Sequence, residues 1–398
     1  MSSENTVRAE TPTRRQYLKL GGSVVGGGLF AGCLNDDRAD SMEADPDGTY
    51  SVTMAPTGAV TFSDVPENVL VYSLLYADMA VAYGHGDSIN SLGFDAEAEG
   101  QALNSFYDVL EGVSFDGSDL TQLNTGSGSV TIDKELFYEL DSDLHLLDPC
   151  LVSSMDGWDR SDVEEIKSTV GPWFGNTYSR EHAEPPEECR DDYQYYTLWE
   201  IAENVAAVFQ ARDRFEALTE VHEELIRSIQ LNLPPEDERP TVGSVIVMDE
   251  TFYPSETNAS GFATADLRPF EVPDAFAAED ITYETAYDYE TMLEIDPDIL
   301  LHRFGIASYD VDHIRGTLED HPVASQLTAV ENDRVYASGN PIQGPIMNLF
   351  QLEMAAKQLY PDQFGEWPGY GGDTYPEIPE DEQLFDRDYV AAVIQGDF

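Results

Sequence analysis

Apolar residues recur along this chain with two different periods, and the switches between them mark out its elements. Val69-Leu70-Val71-Tyr72 predicts a buried strand and Ile89 to Phe94 a second, with a short helix over 76–83 between them. Residues 133–140 and 161–169 predict helices, and 143–147 a strand. At the centre, Ile201, Val205, Val208, Phe209, Phe215, Leu218, Val221, Leu225 and Ile229 follow one another mainly at spacings of three and four. That spacing predicts one helix from about 195 to 231, ended by Pro234-Pro235 and roughly 50 Å long at helical rise. The strand-first rhythm restarts at Val242–Met248. The pattern predicts an α/β protein of two βα lobes, each with a mainly parallel sheet, joined by one long α-helix, with a ligand cleft between the lobes. A stiff connector further predicts only a small closure on binding.

The two halves also repeat. Asp133-Lys134-Glu135-Leu136-Phe137-Tyr138-Glu139-Leu140-Asp141-Ser142-Asp143-Leu144 aligns without gaps with Asp288-Tyr289-Glu290-Thr291-Met292-Leu293-Glu294-Ile295-Asp296-Pro297-Asp298-Ile299, at a constant offset of 298 − 143 = 155. Each copy predicts a helix, a tight acidic turn and a buried strand.

The first 33 residues follow neither period. A polar leader carrying Arg14 and Arg15 precedes a weakly apolar stretch, Leu20 to Gly32, with six glycines, and Leu29-Phe30-Ala31-Gly32-Cys33 ends it. The stretch is too short and too rich in glycine to span a bilayer, so it predicts a removable signal. The arginine pair predicts export of the folded chain by the twin-arginine route, and Cys33 lipidation that holds it on the extracellular face of the membrane. Gly26-Gly27-Gly28-Leu29-Phe30-Ala31 fits a dinucleotide fingerprint only formally, since no strand precedes it. The expected organisation is a signal at 1–32, an acidic tether at 33–57, a first lobe at 58–194, the connecting helix at 195–233 and a second lobe at 234–398.

Composition changes the picture in one respect. The chain has 77 acidic and 20 basic residues, a net charge of −57, yet is 41% hydrophobic, so the acids coat a folded body. Such a surface keeps a protein hydrated where molar salt screens its self-repulsion, which predicts an extreme halophile, an archaeon. It argues against a nucleic-acid partner, whose phosphates need a basic face. With Cys33 taken by lipid, Cys150 and Cys189 remain, either as an extracellular disulfide or as two separate buried thiols.

Helix, turn, Asp and strand in each lobe, with one long helix between, resembles the cobalamin- and iron-siderophore-type substrate-binding proteins of ABC importers over about residues 58–360. Val65-Pro66-Glu67-Asn68-Val69-Leu70-Val71 is similar to that family's entry into its first strand, and Ala329-Val330-Glu331-Asn332-Asp333-Arg334-Val335-Tyr336 to its late helix-turn-strand signature. The resemblance implies a monomer, without cofactor, that hands a metal chelate to a permease and its ATPase. It also implies a docking glutamate on each lobe, which the repeat places at Glu135 and Glu290.

Ligands of α/β folds sit beyond the carboxyl ends of the strands. That rule selects Tyr72, Ser73 and Tyr76, with Asp148 and Pro149, in the first lobe. In the second it selects Asp249, Glu250, Phe252 and Tyr253, then His302, Arg303 and Phe304. Trp173 and Arg268 join them, because aromatics offer flat walls to a chelate and arginines pair with anions. Of seven histidines only His302 is well placed, so a site for a bare metal ion is not expected. No phosphate loop, H-E-x-x-H or G-x-S-x-G occurs, and an enzyme is not expected. The alternatives are cobalamin or haem binding on the same fold, a surface glycosidase using two cleft carboxylates, and an adhesion or sensory lipoprotein.

Overall fold

The computed structural model describes residues 48–124, 130–306, 308–369 and 374–398. Arg14, Arg15, Cys33 and most of the expected tether lie outside the described residues. The described chain begins with a hairpin, β1 (Tyr50–Met54) antiparallel to β2 (Gly58–Phe62), whose alternate residues Tyr50, Val52 and Met54 are buried.

The first lobe then runs β3 (Val69–Val71), α1 (Leu74–Ala82), β4 (Ser91–Leu92), α2 (Ala96–Tyr107), β5 (Thr121–Gln122), α3 (Lys134–Leu140), β6 (Leu144–Leu146), α4 (Pro149–Ser153) and α5 (Arg160–Thr169). β3 pairs in parallel with β6 and β4 with β5, and parallel bridges Val69–Ile89 and His145–Trp173 continue the ladder on either side. The strand expected at 89–94 shrinks to two residues, because the chain turns at Phe94, whose N–H goes to the Glu99 carboxylate (3.0 Å).

The single helix expected over 195–231 is two, α6 (Leu198–Val208) and α7 (Arg212–Asn232). Thr197 and Glu200 form a capping box that fixes the start at 198. At the other end Gln210 takes a left-handed conformation (φ 51°), with Gln210 N–H bonded to Ala207 O and Ala211 N–H to Ala206 O, a Schellman termination made without glycine. The apolar spacing runs on through this break, so periodicity does not reveal it. The connector between the lobes is therefore α7, about 32 Å long.

The second lobe comprises β7 (Val242–Met248), β8 (Thr251–Ser255), α8 (Tyr289–Ile295), β9 (Ile299–His302), α9 (Val311–Asp320), α10 (Thr328–Glu331) and β10 (Val335–Ala337). Its sheet has the order β10-β9-β7-β8, parallel except for β8. Three pairs of acids give the sequence repeat its structural content. Asp133 and Asp288 cap α3 and α8 through backbone N–H groups. Asp141 and Asp296 end those helices in left-handed conformation (φ 46° and 48°). Asp143 accepts from Asn68 N–H (2.9 Å) and Asp298 from Thr241 N–H (2.8 Å), each tying the repeat to the entry of its lobe's first long strand.

After β10 the chain crosses back. α11 (Pro345–Leu359) is buried along its whole length against α1, α2, α6 and α7. α12 (Pro361–Phe364) follows, and α13 (Arg387–Gln395) lies on α7 and α1. The stretch 345–398, expected as part of the second lobe, thus also packs on helices of the first. Glu353 on α11 is fully buried, and its carboxylate accepts from Arg387 (2.7 Å), Tyr375 Oη (3.0 Å) and Leu384 N–H (2.7 Å), which satisfies a buried ion pair that would otherwise be costly.

Candidate functional site

A cavity of about 250 Å³ opens where the two lobes meet. The first lobe contributes Tyr72, Ser73, Leu74, Leu75, Tyr76, Phe94, Glu99, Val130, Leu151, Thr177 and Arg180, and the second lobe Phe262 and Ile342. Tyr72 leaves the carboxyl end of β3 and its ring leans on Phe94, centroids 5.9 Å apart. Ser73 caps α1 by accepting from Leu75 N–H (3.3 Å), which starts the helix at the cavity wall. The Tyr76 hydroxyl accepts from Asn176 N–H (2.7 Å), and the Asn176 amide donates to Ala55 O and Gln194 O, so one buried asparagine ties three segments behind the aromatic wall. Phe94 and Val130 are both 44% exposed and form an apolar rim.

One tight contact between the lobes lies beside the cavity, next to the lining residues Arg180 and Phe262. Gly261 has φ 98°, and a Cβ there would stand 2.4 Å from Arg180 O and 2.6 Å from Ser179 O, so both conformation and space require glycine. Arg268 serves this contact, donating to Ala259 O (2.9 Å) and Gly261 O (2.8 Å).

Glu99 and Arg180 are the two charged groups among the lining residues. One Glu99 oxygen accepts from Phe94 N–H; burial, and secondly Asp95, pushes its carboxyl up to about 7. Burial and the nearby Glu99 charge push the Tyr72 hydroxyl up to about 12. Arg180 Nε already lies 3.6 Å from Glu181.

Of the residues expected from sequence, the cavity brings together Tyr72, Ser73 and Tyr76. Trp173 is 1% exposed, with Nε1 on Val163 O (3.0 Å) and its ring against Phe137. Phe252 is fully buried against Tyr289, and Tyr253 lies on β8, away from the lining residues. Arg303 is held on Ser255 Oγ beside Asp266 and Glu181 and does not line the cavity. His302 Nε2 accepts from Val247 N–H (2.9 Å), so Nδ1 carries the proton and donates to Arg303 O (2.9 Å), a structural role. Asp148 is buried and holds Cys150 N–H, Thr177 N–H and the Tyr193 hydroxyl; burial pushes its carboxyl up to about 6. Glu135 and Glu290 are both exposed, at matched positions in the first turns of α3 and α8.

Phe94 and Glu99 follow the second strand, where the carboxyl-end rule reaches them, yet they were not among the expected residues. Arg180 and Phe262 sit on single 3₁₀ turns and Ile342 on a loop, all too short to show a period. Cys150 and Cys189 are bonded, closing a span of 39 residues. By loop length such a link is worth about 4 kcal/mol.

No family model matches the sequence, and neither does any curated protein. Solved structures do match. The iron-uptake ABC transporter substrate-binding protein PiuA of Streptococcus pneumoniae superposes with TM-score 0.53 at 15% identity, over 78% of this chain and 98% of its own. CeuE of Helicobacter pylori, solved with Ni(II) bound, gives 0.53 at 13%, over 79% and 90%. The haem-binding protein HmuT gives 0.51 at 17%, over 78% and 89%. This chain has the fold of these substrate-binding proteins, with a mixed α/β architecture and parallel strands.

Proposed function

We propose that this protein is the extracytoplasmic substrate-binding component of an ABC importer, capturing an iron-siderophore or related metal chelate between its lobes and delivering it to the permease and its ATPase. The observation that carries this reading is the aromatic cavity at the lobe interface, at the carboxyl end of β3, on a fold shared with proteins of iron and haem uptake. Glu135 and Glu290, exposed at equivalent points of the repeat, are the proposed docking points on the two lobes. A glycosidase would need two carboxylates facing each other across the cleft. Among the described lining residues Glu99 is the only one, which favours binding over catalysis.

Among the described residues no helix is long and apolar enough to cross a membrane. The proposed attachment is the lipid on Cys33 after export through Arg14 and Arg15, with the protein acting as a monomer beside its permease. The test is tryptophan-quenching titration in molar salt against a ferric hydroxamate, a ferric catecholate, haem and cobalamin. Saturation by one ferric chelate is expected, and saturation by none would refute the reading.

A further inference from the structure

We propose that Glu99 makes this cleft selective for chelates that present a protonated amine or another cationic donor, and turns away chelates of net negative charge. The inference rests on the chelate-binding reading above and specifies which chelates. Glu99 lies on α2, behind the rim residue Phe94, and lines the cavity beside Tyr72. One carboxylate oxygen is fixed by Phe94 N–H (3.0 Å), which sets the orientation of the group. The other takes no hydrogen bond from a described residue, so acceptor capacity is left over at the cavity wall.

The opposing charge is already engaged. Arg180 pairs with Glu181 (3.6 Å), and its own carbonyl is pressed against Gly261 at the lobe contact. Arg180 and the neighbouring Arg303 are offset by Glu181 and Asp266, which leaves Glu99 as the uncompensated charge on the cavity wall. The net charge of −57 acts in the same direction, but salt screens distant surface charge within a few ångströms, whereas a half-buried carboxylate touching the ligand is screened much less. The local group decides selectivity. A cationic donor against Glu99 gains a charge-assisted hydrogen bond; an anionic chelate leaves the carboxylate facing like charge in a place of low dielectric.

Two ferric trihydroxamates identical except for one terminal group, a free primary amine or its N-acetylated form, isolate this contact. They are titrated by tryptophan quenching against the wild-type chain and Glu99→Gln at pH 8.5, where the raised Glu99 carboxyl is ionised and a primary amine still carries its proton. The wild type is expected to bind the amine form about tenfold more tightly. Glu99→Gln, which keeps an acceptor for Phe94 N–H, is expected to bind both forms alike, at the affinity the wild type shows for the acetylated one. Equal affinities in the wild type, or a preference that survives Glu99→Gln, would overturn the selector while leaving the chelate reading intact. Binding of neither form by the wild type would overturn the selector, and the chelate reading would fall with it only if the ferric catecholate, haem and cobalamin did not bind either.

Discussion

Asp78 is a fully buried carboxylate of the seam in which α11 meets the first lobe, and replacing it by Asn tests how that seam is held. The side chain has no exposure; one oxygen accepts from the Tyr107 hydroxyl (2.6 Å) and the other from Ile346 N–H (2.9 Å) at the amino end of α11. Tyr83 is the other titratable group close to it. Burial outweighs these hydrogen bonds and pushes the carboxyl from 3.8 up to about 7. A raised folded-state value means the group's contribution is fully present below pH 3.8 and is lost as pH rises through about 7. At about 1.36 kcal/mol per pH unit, that interval corresponds to about 4 kcal/mol. Asn has the same shape, can accept from Ile346 N–H and donate to Tyr107, and cannot ionise. Asp78→Asn should therefore gain stability relative to the wild type on going from pH 4.5 to 8.5, by about 3 kcal/mol, since about 1 kcal/mol is already lost at pH 4.5. Guanidinium unfolding at the two pH values, at constant ionic strength, measures it. A stability difference that is the same at both would refute the reasoning. Asp78→Ala, which strands the partners, should destabilise at both, by about 1–3 kcal/mol for each unsatisfied group.

The remaining predictions concern the first lobe and the lobe contact. His145 is fully buried between Phe137 and Trp173 with neither ring nitrogen hydrogen-bonded, and burial depresses it to about 4. A lowered value gives stability that is present above about pH 6.5 and lost as pH falls through about 4, the opposite sign to Asp78. His145→Leu should flatten that acid loss, worth about 3 kcal/mol, and an unchanged profile in unfolding experiments would count against it. Gly261→Ala should part the lobes at Ser179–Arg180, seen as a larger radius of gyration in small-angle scattering and at least about tenfold weaker chelate binding.

Much of the architecture was legible because it is written in local patterns. The repeat showed through because Asp133 and Asp288, Asp141 and Asp296, and Asp143 and Asp298 do the same work in both lobes, so the same residue type recurs at a fixed offset. The connector was overextended because the Schellman turn at Gln210 uses no glycine and leaves the apolar spacing intact. Three of the thirteen lining residues were legible, since Tyr72, Ser73 and Tyr76 follow a strand whose end points at the cleft. Phe262 and Ile342 were not, because their position depends on how Gly261 meets Arg180, a contact between segments far apart in sequence. Trp173 and Phe252 misled for a related reason: a large aromatic after a strand serves a core as well as a cleft, and only burial separates the two.

The central claim is that a metal chelate binds between the lobes, and one titration addresses it directly: a ferric trihydroxamate against the wild-type chain and against Ile342→Trp, which fills the cavity from the second lobe. Saturation at one equivalent per chain is expected for the wild type, and loss of binding in the variant. Binding of the same affinity in Ile342→Trp would contradict the claim.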